Sequence, residues 1–199
     1  LIELDLRLND RIVDLVAERV DVALRVGPIR QAGLAARRVS QVNIVTCAAP
    51  AYLQDHGEPR TPDELREHKL VGLTSHSGAP PEWTFPPPYT PKRLGLKFSM
   101  LFNSAEAPII AATAGLGITH TGDLLVAEYV GRGELKLILE DFVMPGPPIS
   151  LVYPSAGHQA AKVRVFSDFA ADLMHRWSDV VRDWLNPGAD PVGAPRSIR

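Results

Sequence analysis

Apolar and polar residues alternate from the first position: Leu1, Ile2, Leu4, Leu6 and Leu8 are interleaved with Glu3, Asp5 and Arg7. A period of two predicts a half-buried strand. Asn9-Asp10 then offers a helix cap, and Ile12, Val13, Leu15, Val16 and Val20 supply one apolar helical face over residues 11–20. Val22, Leu24 and Val26 alternate again in a strand that Gly27-Pro28 stops. Strand, helix and strand in 27 residues predict a βαβ unit with a parallel sheet.

Further along, Leu34 to Ala49 is β-prone around Val42, Ile44, Val45 and Thr46. Pro50 to Gly57 reads as a short helix, with proline near its start and glycine after its end. Thr61-Pro62-Asp63-Glu64 has the order of a capping box, and the helix it opens ends at His68. Lys69 to Leu73 is a strand. Residues 74–91 are crowded with proline and predict irregular chain. A strand is expected over 93–102 and a helix over 104–114, capped by Asn103 or Ser104 and closed by Gly115 and Gly117. Gly117 to Thr121 is a strand, Asp123 caps a helix to Val130, and Leu135–Leu139 and Ile149–Tyr153 are strands. From Gln159 to Trp184 the pattern is helical, with Val163, Phe166, Ala170, Leu173, Met174 and Trp177 on one face. Alternating β and α segments predict an α/β protein.

Composition narrows the functions. The 199 residues are 45% hydrophobic and carry 21 basic against 23 acidic side chains. That near-balance argues against a surface built to hold nucleic acid. One cysteine, Cys47, excludes a disulfide framework and any multi-cysteine metal site. Six scattered histidines give no support to other metal sites, and no apolar run approaches a membrane span. Nothing at the start reads as a signal peptide, so a reduced, cytoplasmic setting is expected. The chain opens inside a strand pattern, and we read its N-terminus as cut.

Catalytic motifs are missing: there is no G-x-S-x-G elbow, P-loop, H-E-x-x-H or C-x-x-C. Gly115-Leu116-Gly117 follows a helix and precedes a strand, the wrong order for a dinucleotide loop. Candidate ligand positions are therefore strand ends and helix starts: Arg25 and Gly27, Asn103 and Ser104, and Thr119, His120 and Thr121. A free helix N-terminus at Ser104 would favour an anion. From spacing alone, Arg25 reads better as an exposed structural arginine. Ser104 reads equally well as a plain cap, and His120 as a satisfied, partly buried imidazole.

A series of short motifs in fixed order narrows the choice. It comprises Asp21-Val-Ala-Leu-Arg-Val-Gly27, Cys47-Ala-Ala-Pro-Ala-Tyr-Leu53, and His56-Gly-Glu-Pro-Arg-Thr-Pro-Asp-Glu-Leu65 with His68. It continues through Asn103-Ser-Ala-Glu-Ala107, Ala114-Gly-Leu-Gly-Ile118, Gly133-Glu-Leu-Lys-Leu-Ile-Leu139, Val152-Tyr-Pro154 and His158. Over roughly residues 1–180 this succession resembles the effector-binding domain of LysR-type transcriptional regulators. The resemblance implies a periplasmic-binding-protein-like (type 2) α/β fold of two lobes joined by two crossover strands. Lobe I would be 1–73 plus 153–185, lacking the family's first strand and helix, and lobe II 74–152, with 186–199 a disordered tail.

The resemblance also implies a small-molecule effector, with a carboxylate the expected class, held in a cleft between lobes. Arg25, Gly27, Thr46, Asn103, Ser104, Thr119, His120 and Thr121 would line it, and Trp83 and Phe85 would flank the opening. It implies no cofactor, no metal and no catalysis. Homodimers or homotetramers would form through this domain, and DNA would be bound only by a helix-turn-helix domain outside this chain. A solute-binding protein of a transporter shares the architecture and is the alternative.

Overall fold

A computed structural model describes residues 3–8, 13–29, 31–75, 78–155 and 160–185. By its internal packing the chain divides into two units. The first is residues 1–42 with 147–179, and the second 43–146 with 180–199. The sequence expectation placed the breaks at 73 and 152. Residues 49–73 instead cluster with 83–98, because Tyr52, Leu53, Leu65 and Leu70 share one core with Trp83, Phe85 and Leu94.

In the first unit, β1 (Ala23–Val26) pairs antiparallel with β7 (Met144–Pro154), in the register Ala23↔Val152 to Val26↔Ile149. β7 also neighbours β2 (Leu34–Ala48). The N–H of Gly27 donates to the Pro148 carbonyl at 2.9 Å and closes the ladder. α5 (Ala161–Leu185) begins in this unit and turns Val163, Ser167 and Ala171 inward, all of them buried. Their spacing of four is one helical stripe. The sequence pattern placed the apolar face about one residue away. Val163 belongs to both faces, whereas Leu173 and Trp177 of the expected face are exposed.

Three expectations for this unit are corrected. Residues 3–8 form no strand, and Leu4, Leu6 and Leu8 are exposed. Alternation makes a strand only where a neighbouring strand takes up its hydrogen bonds, and none among the described residues does so. The expected helix over 11–20 is a single turn at 15–19 in its described part. The Asp14 carboxylate accepts from the Val16 and Ala17 N–H groups, Leu15 is fully buried, and Arg19 stops the turn at φ 54°. Among the described residues the parallel βαβ unit is therefore absent, and β1 pairs antiparallel with a strand more than a hundred residues away. The expected Asn9-Asp10 cap, His158 and the tail 186–199 lie outside the described residues.

In the second unit, the end of β2 pairs antiparallel with β5 (Thr119–Gly122) and with β6 (Lys136–Ile138). Its residues Val45 to Ala48 are buried without a break, as expected for a strand covered on both faces. Val45 and Cys47 point into a cluster with Val71, Ile109, Ala112 and Val126. Ala48 points the opposite way, into the cluster of Tyr52, Leu65, Leu70 and Trp83.

α1 (Pro50–His56) runs as expected, with Gly57 beyond its end at φ 82°. A 3₁₀ helix, Pro62–Glu67, takes the place of the second expected helix. Its capping box is rearranged: Glu64 accepts from the Arg60 N–H at 2.9 Å and from the Thr61 hydroxyl at 2.9 Å. The Thr61 hydroxyl is thus spent on Glu64 instead of on the helix backbone.

A second, small sheet joins β3 (Val71–Leu73) and β4 (Met100–Phe102) in parallel. The expected strand over 93–102 is corrected to one helical turn, α2 (Pro91–Leu94), followed by β4. Thr90 caps α2 through the Arg93 N–H, and Gly95 ends it in the left-handed region, so local capping overrides strand propensity there. Residues 117–118 lie directly against residue 69: the Ile118 N–H donates to the Lys69 carbonyl at 2.9 Å and the Val71 N–H to the Ile118 carbonyl at 2.9 Å. A Cβ on Gly117 would stand 2.5 Å from that Lys69 oxygen, so only glycine permits the approach.

Candidate functional site

In the second unit, the register Thr46↔His120 sets two polar side chains side by side on one face of the β2–β5 ladder. The Thr46 hydroxyl and His120 Nδ1 are 2.9 Å apart. Thr46 is buried, whereas the His120 ring is partly buried with Nε2 closed off from solvent. Two aromatic rings flank the imidazole, Phe85 at 4.6 Å and Trp83 at 5.2 Å between ring centres. Nε2 has no well-aligned partner. Burial pushes the imidazole down to about pH 4, and the nearby Thr84 backbone opposes that shift without supplying an aligned hydrogen bond.

Thr119 and Thr121 belong to the opposite face, since their register partners are Cys47 and Val45. Strand alternation thus separates Thr119 and Thr121 from His120 between them. Trp83 and Phe85 are not at an opening either. They are 4% and 5% exposed and form part of the core, with Phe98 packed edge-on against Trp83 at 5.3 Å.

Asn103 is exposed and Ser104 half-buried, in a bend that precedes α3 (Ala107–Thr113). The expected cap at Asn103 or Ser104 is corrected. Pro108 fixes the first turn three residues later, and Glu106 stands at the cap position without a side-chain bond. An anion site at a helix start opened by Ser104 does not exist in this arrangement. In the first unit, Arg25 is half-buried and donates to the Val13 carbonyl and to Gln31 Oε1, tying the turn after residue 13 to β1. Gly27 uses its N–H on Pro148 and takes φ 112°.

Other polar nodes were not expected from the sequence. Tyr52 is 2% exposed, and its hydroxyl accepts from the Lys69 N–H at 2.9 Å and meets His68 Nδ1 at 3.2 Å. Burial, and then the nearby His56, hold His68 below its ordinary value. Asp123, buried at the start of α4 (Asp123–Gly131), accepts from Asn43 Nδ2 at 2.8 Å and from the Leu124 N–H at 2.8 Å. These nodes depend on side chains 16 to 80 residues apart, so no short motif announces them.

An open groove of about 630 Å³ in the second unit is bordered by Glu58, Arg60, Leu139, Glu140, Asp141 and Phe142. It contains none of the expected site residues. Among the described residues no group of three or more His, Cys, Asp or Glu side chains is arranged to hold a metal, and no helix is long and apolar enough to cross a membrane. Cys47 is fully buried, and burial pushes its thiol up to about 12, so it is no nucleophile.

Comparison with known proteins places this geometry in context. The family model of the LysR substrate binding domain matches residues 1–175. An uncharacterized HTH-type transcriptional regulator of Escherichia coli K12, YhjC, is 32% identical over 189 residues, covering 89% of this chain and 60% of that protein. The HTH-type transcriptional regulator CrgA of Neisseria meningitidis is 29% identical over 174 residues, covering 86% and 57%. The solved CrgA regulatory domain superposes with a TM-score of 0.66 at 25% identity, covering 80% of this chain and 78% of that one. The full-length Vibrio cholerae virulence activator AphB superposes with a TM-score of 0.63 at 27% identity, covering 82% and 55%. The chain thus spans 50% to 60% of the length of the first curated relatives it matches.

Proposed function

The chain belongs to the LysR substrate-binding-domain family, and from that premise we propose that it is the effector-sensing part of a LysR-type transcriptional regulator. The family match over residues 1–175 carries this reading, and the likeness to regulatory domains of transcription factors supports it. In this reading the chain senses a small molecule, performs no catalysis and works in the cytoplasm. It assembles as a homodimer or homotetramer, and DNA is bound by a helix-turn-helix domain outside residues 1–199.

A ligand shifts a protein between two arrangements only by binding one of them better. We retain Arg25, Gly27, Thr46, Asn103, Ser104, Thr119, His120 and Thr121 as proposed effector contacts, and a carboxylate as the proposed class. Two points weigh on the set. Arg25 is already held by Val13 and Gln31, and Thr119 is 1% exposed. Ser104 and Asn103, accessible and unconstrained by a helix, are the better-placed contacts. The relatives are transcriptional regulators, which disfavours a transporter's solute-binding protein.

Two experiments test the proposal. The nucleotide sequence 5′ of the Leu1 codon should encode an in-frame helix-turn-helix; a secretion signal there refutes the regulator reading. Calorimetric titration of a carboxylate library into the full-length protein should give saturable binding that Ser104→Ala and Arg25→Ala weaken. Binding of neutral ligands alone, unaffected by both substitutions, refutes the carboxylate assignment.

A further inference from the structure

We propose that Trp83, His120 and Phe85 form a proton-sensitive clasp, which holds the proline-rich segment 78–90 on β5 while His120 is neutral and releases it when His120 is charged. Residues 78–90 contain no strand or helix of their own before α2. Their attachment is made by side chains: Trp83 and Phe85 are buried in the core and both pack against one imidazole, at 5.2 and 4.6 Å between ring centres. A segment without a backbone ladder is held only as well as such contacts hold it.

The imidazole is suited to the neutral state and not to the charged one. Nδ1 has the Thr46 hydroxyl at 2.9 Å, a group that can serve as donor or acceptor. A second ring proton on Nε2 would have no aligned acceptor and no access to water. The groups packed around the ring are the Thr46 hydroxyl from β2, and the Trp83 and Phe85 rings with the Thr84 backbone between them. Neither Glu82 on that segment nor Asp123 beyond the end of β5 adds to the balance that sets its protonation, which consists of burial and the Thr84 backbone. Aromatic faces attract a cation, but no carboxylate among the described residues offsets burial, and the ring is held down to about pH 4. A proton that does bind meets the Thr84 backbone, whose pull is too weak to offset burial, and water reaches Nε2 only if residues 83–85 move.

Nitrogen-15 NMR of this chain between pH 7 and pH 3.5 tests the clasp. The His120 ring nitrogens should titrate with a midpoint at about 4. The Trp83 indole, identified as the resonance lost in Trp83→Phe, and the Thr84 and Phe85 amides should shift with that midpoint, while the amides of β6 stay in place. His120→Asn keeps a hydrogen-bonding group beside Thr46 and takes no proton in this range, so these shifts should vanish. Thr46→Val removes the hydroxyl beside Nδ1, and the shifts at residues 83–85 should still follow the His120 midpoint measured in that variant, which tests the same point if His120→Asn does not fold. The clasp is overturned by a His120 titration without movement at 83–85, by persistence of the transition in His120→Asn, or by loss of the whole spectrum at that midpoint.

Discussion

Replacing Gly117 by alanine is the most demanding test of the second unit's packing. The new Cβ would lie 2.5 Å from the Lys69 carbonyl oxygen, 3.0 Å from its carbon and 3.3 Å from its Cβ. The first two of these are backbone, which cannot swing aside as a side-chain end can. Relief requires residues 117 and 69 to part by several tenths of an ångström or more. That separation weakens two hydrogen bonds, Ile118 N–H to Lys69 and Val71 N–H to Ile118, each worth about 1 kcal/mol. It also loosens Leu70 and Ile118, both fully buried, which adds about 1–2 kcal/mol of lost packing. We expect a destabilisation of about 3 kcal/mol. With a urea slope of about 2–3 kcal/mol/M, the midpoint by far-ultraviolet circular dichroism should fall by about 1–1.5 M. Gly133→Ala is the control, because Gly133 sits at φ +71° with open space around it. Only the left-handed backbone is penalised there, by about 1–2 kcal/mol. A Gly117→Ala protein within 1 kcal/mol of wild type, or no less stable than Gly133→Ala, refutes the close-approach argument.

Four further outcomes are expected. His120 gains its proton near 6.5 when unfolded but only at about 4 when folded, so the unfolded state binds more protons in that window and stability falls as pH drops from about 6.5 to 4. At about 1.4 kcal/mol per pH unit the upper bound is about 3.5 kcal/mol; the ring is partly exposed, so we expect about 1–2, read as the difference in pH slope between wild type and His120→Asn in urea unfolding. Tyr52→Phe deletes the acceptor of the Lys69 N–H and the partner of His68 and should cost about 1–2 kcal/mol in the same assay, with a neutral result refuting the node. Cys47, fully buried with its thiol pushed up to about 12, should react with a thiol reagent only at the rate of unfolding, and fast labelling under native conditions would contradict its burial. The Lys162–Asp21 pair at 2.7 Å and the Arg37–Asp168 pair at 2.6 Å are both exposed, so Asp21→Asn and Asp168→Asn should each change stability by less than about 1 kcal/mol.

Several elements were legible because local chemistry alone decides them. Pro50 and Gly57 bracket α1 at its observed ends, since a proline fits a first turn and glycine takes the conformation that stops a helix. The β-prone stretch from Leu34 to Ala49, centred on Val42, Ile44, Val45 and Thr46, is β2 almost to its ends. The ordered short motifs identified the family, because such motifs hold turns and close approaches, as at Gly117, which tolerate few replacements.

Pairing and side-chain convergence needed the tertiary structure. The sequence alone gave Leu4, Leu6 and Leu8 the same alternating pattern as a buried strand, yet these residues find no partner strand. It placed Thr119, His120 and Thr121 together, and only the register with β2 showed that His120 turns toward Thr46, Trp83 and Phe85 while its neighbours face the other core. It offered Ser104 as a helix cap, and Pro108 moved the helix start beyond it. Periodicity is a property of one segment, and the sequence determines it wherever capping, proline and glycine act within a turn or two. Which strand pairs with which, and which side chain meets an imidazole 74 residues away, is decided by contacts that no single segment contains.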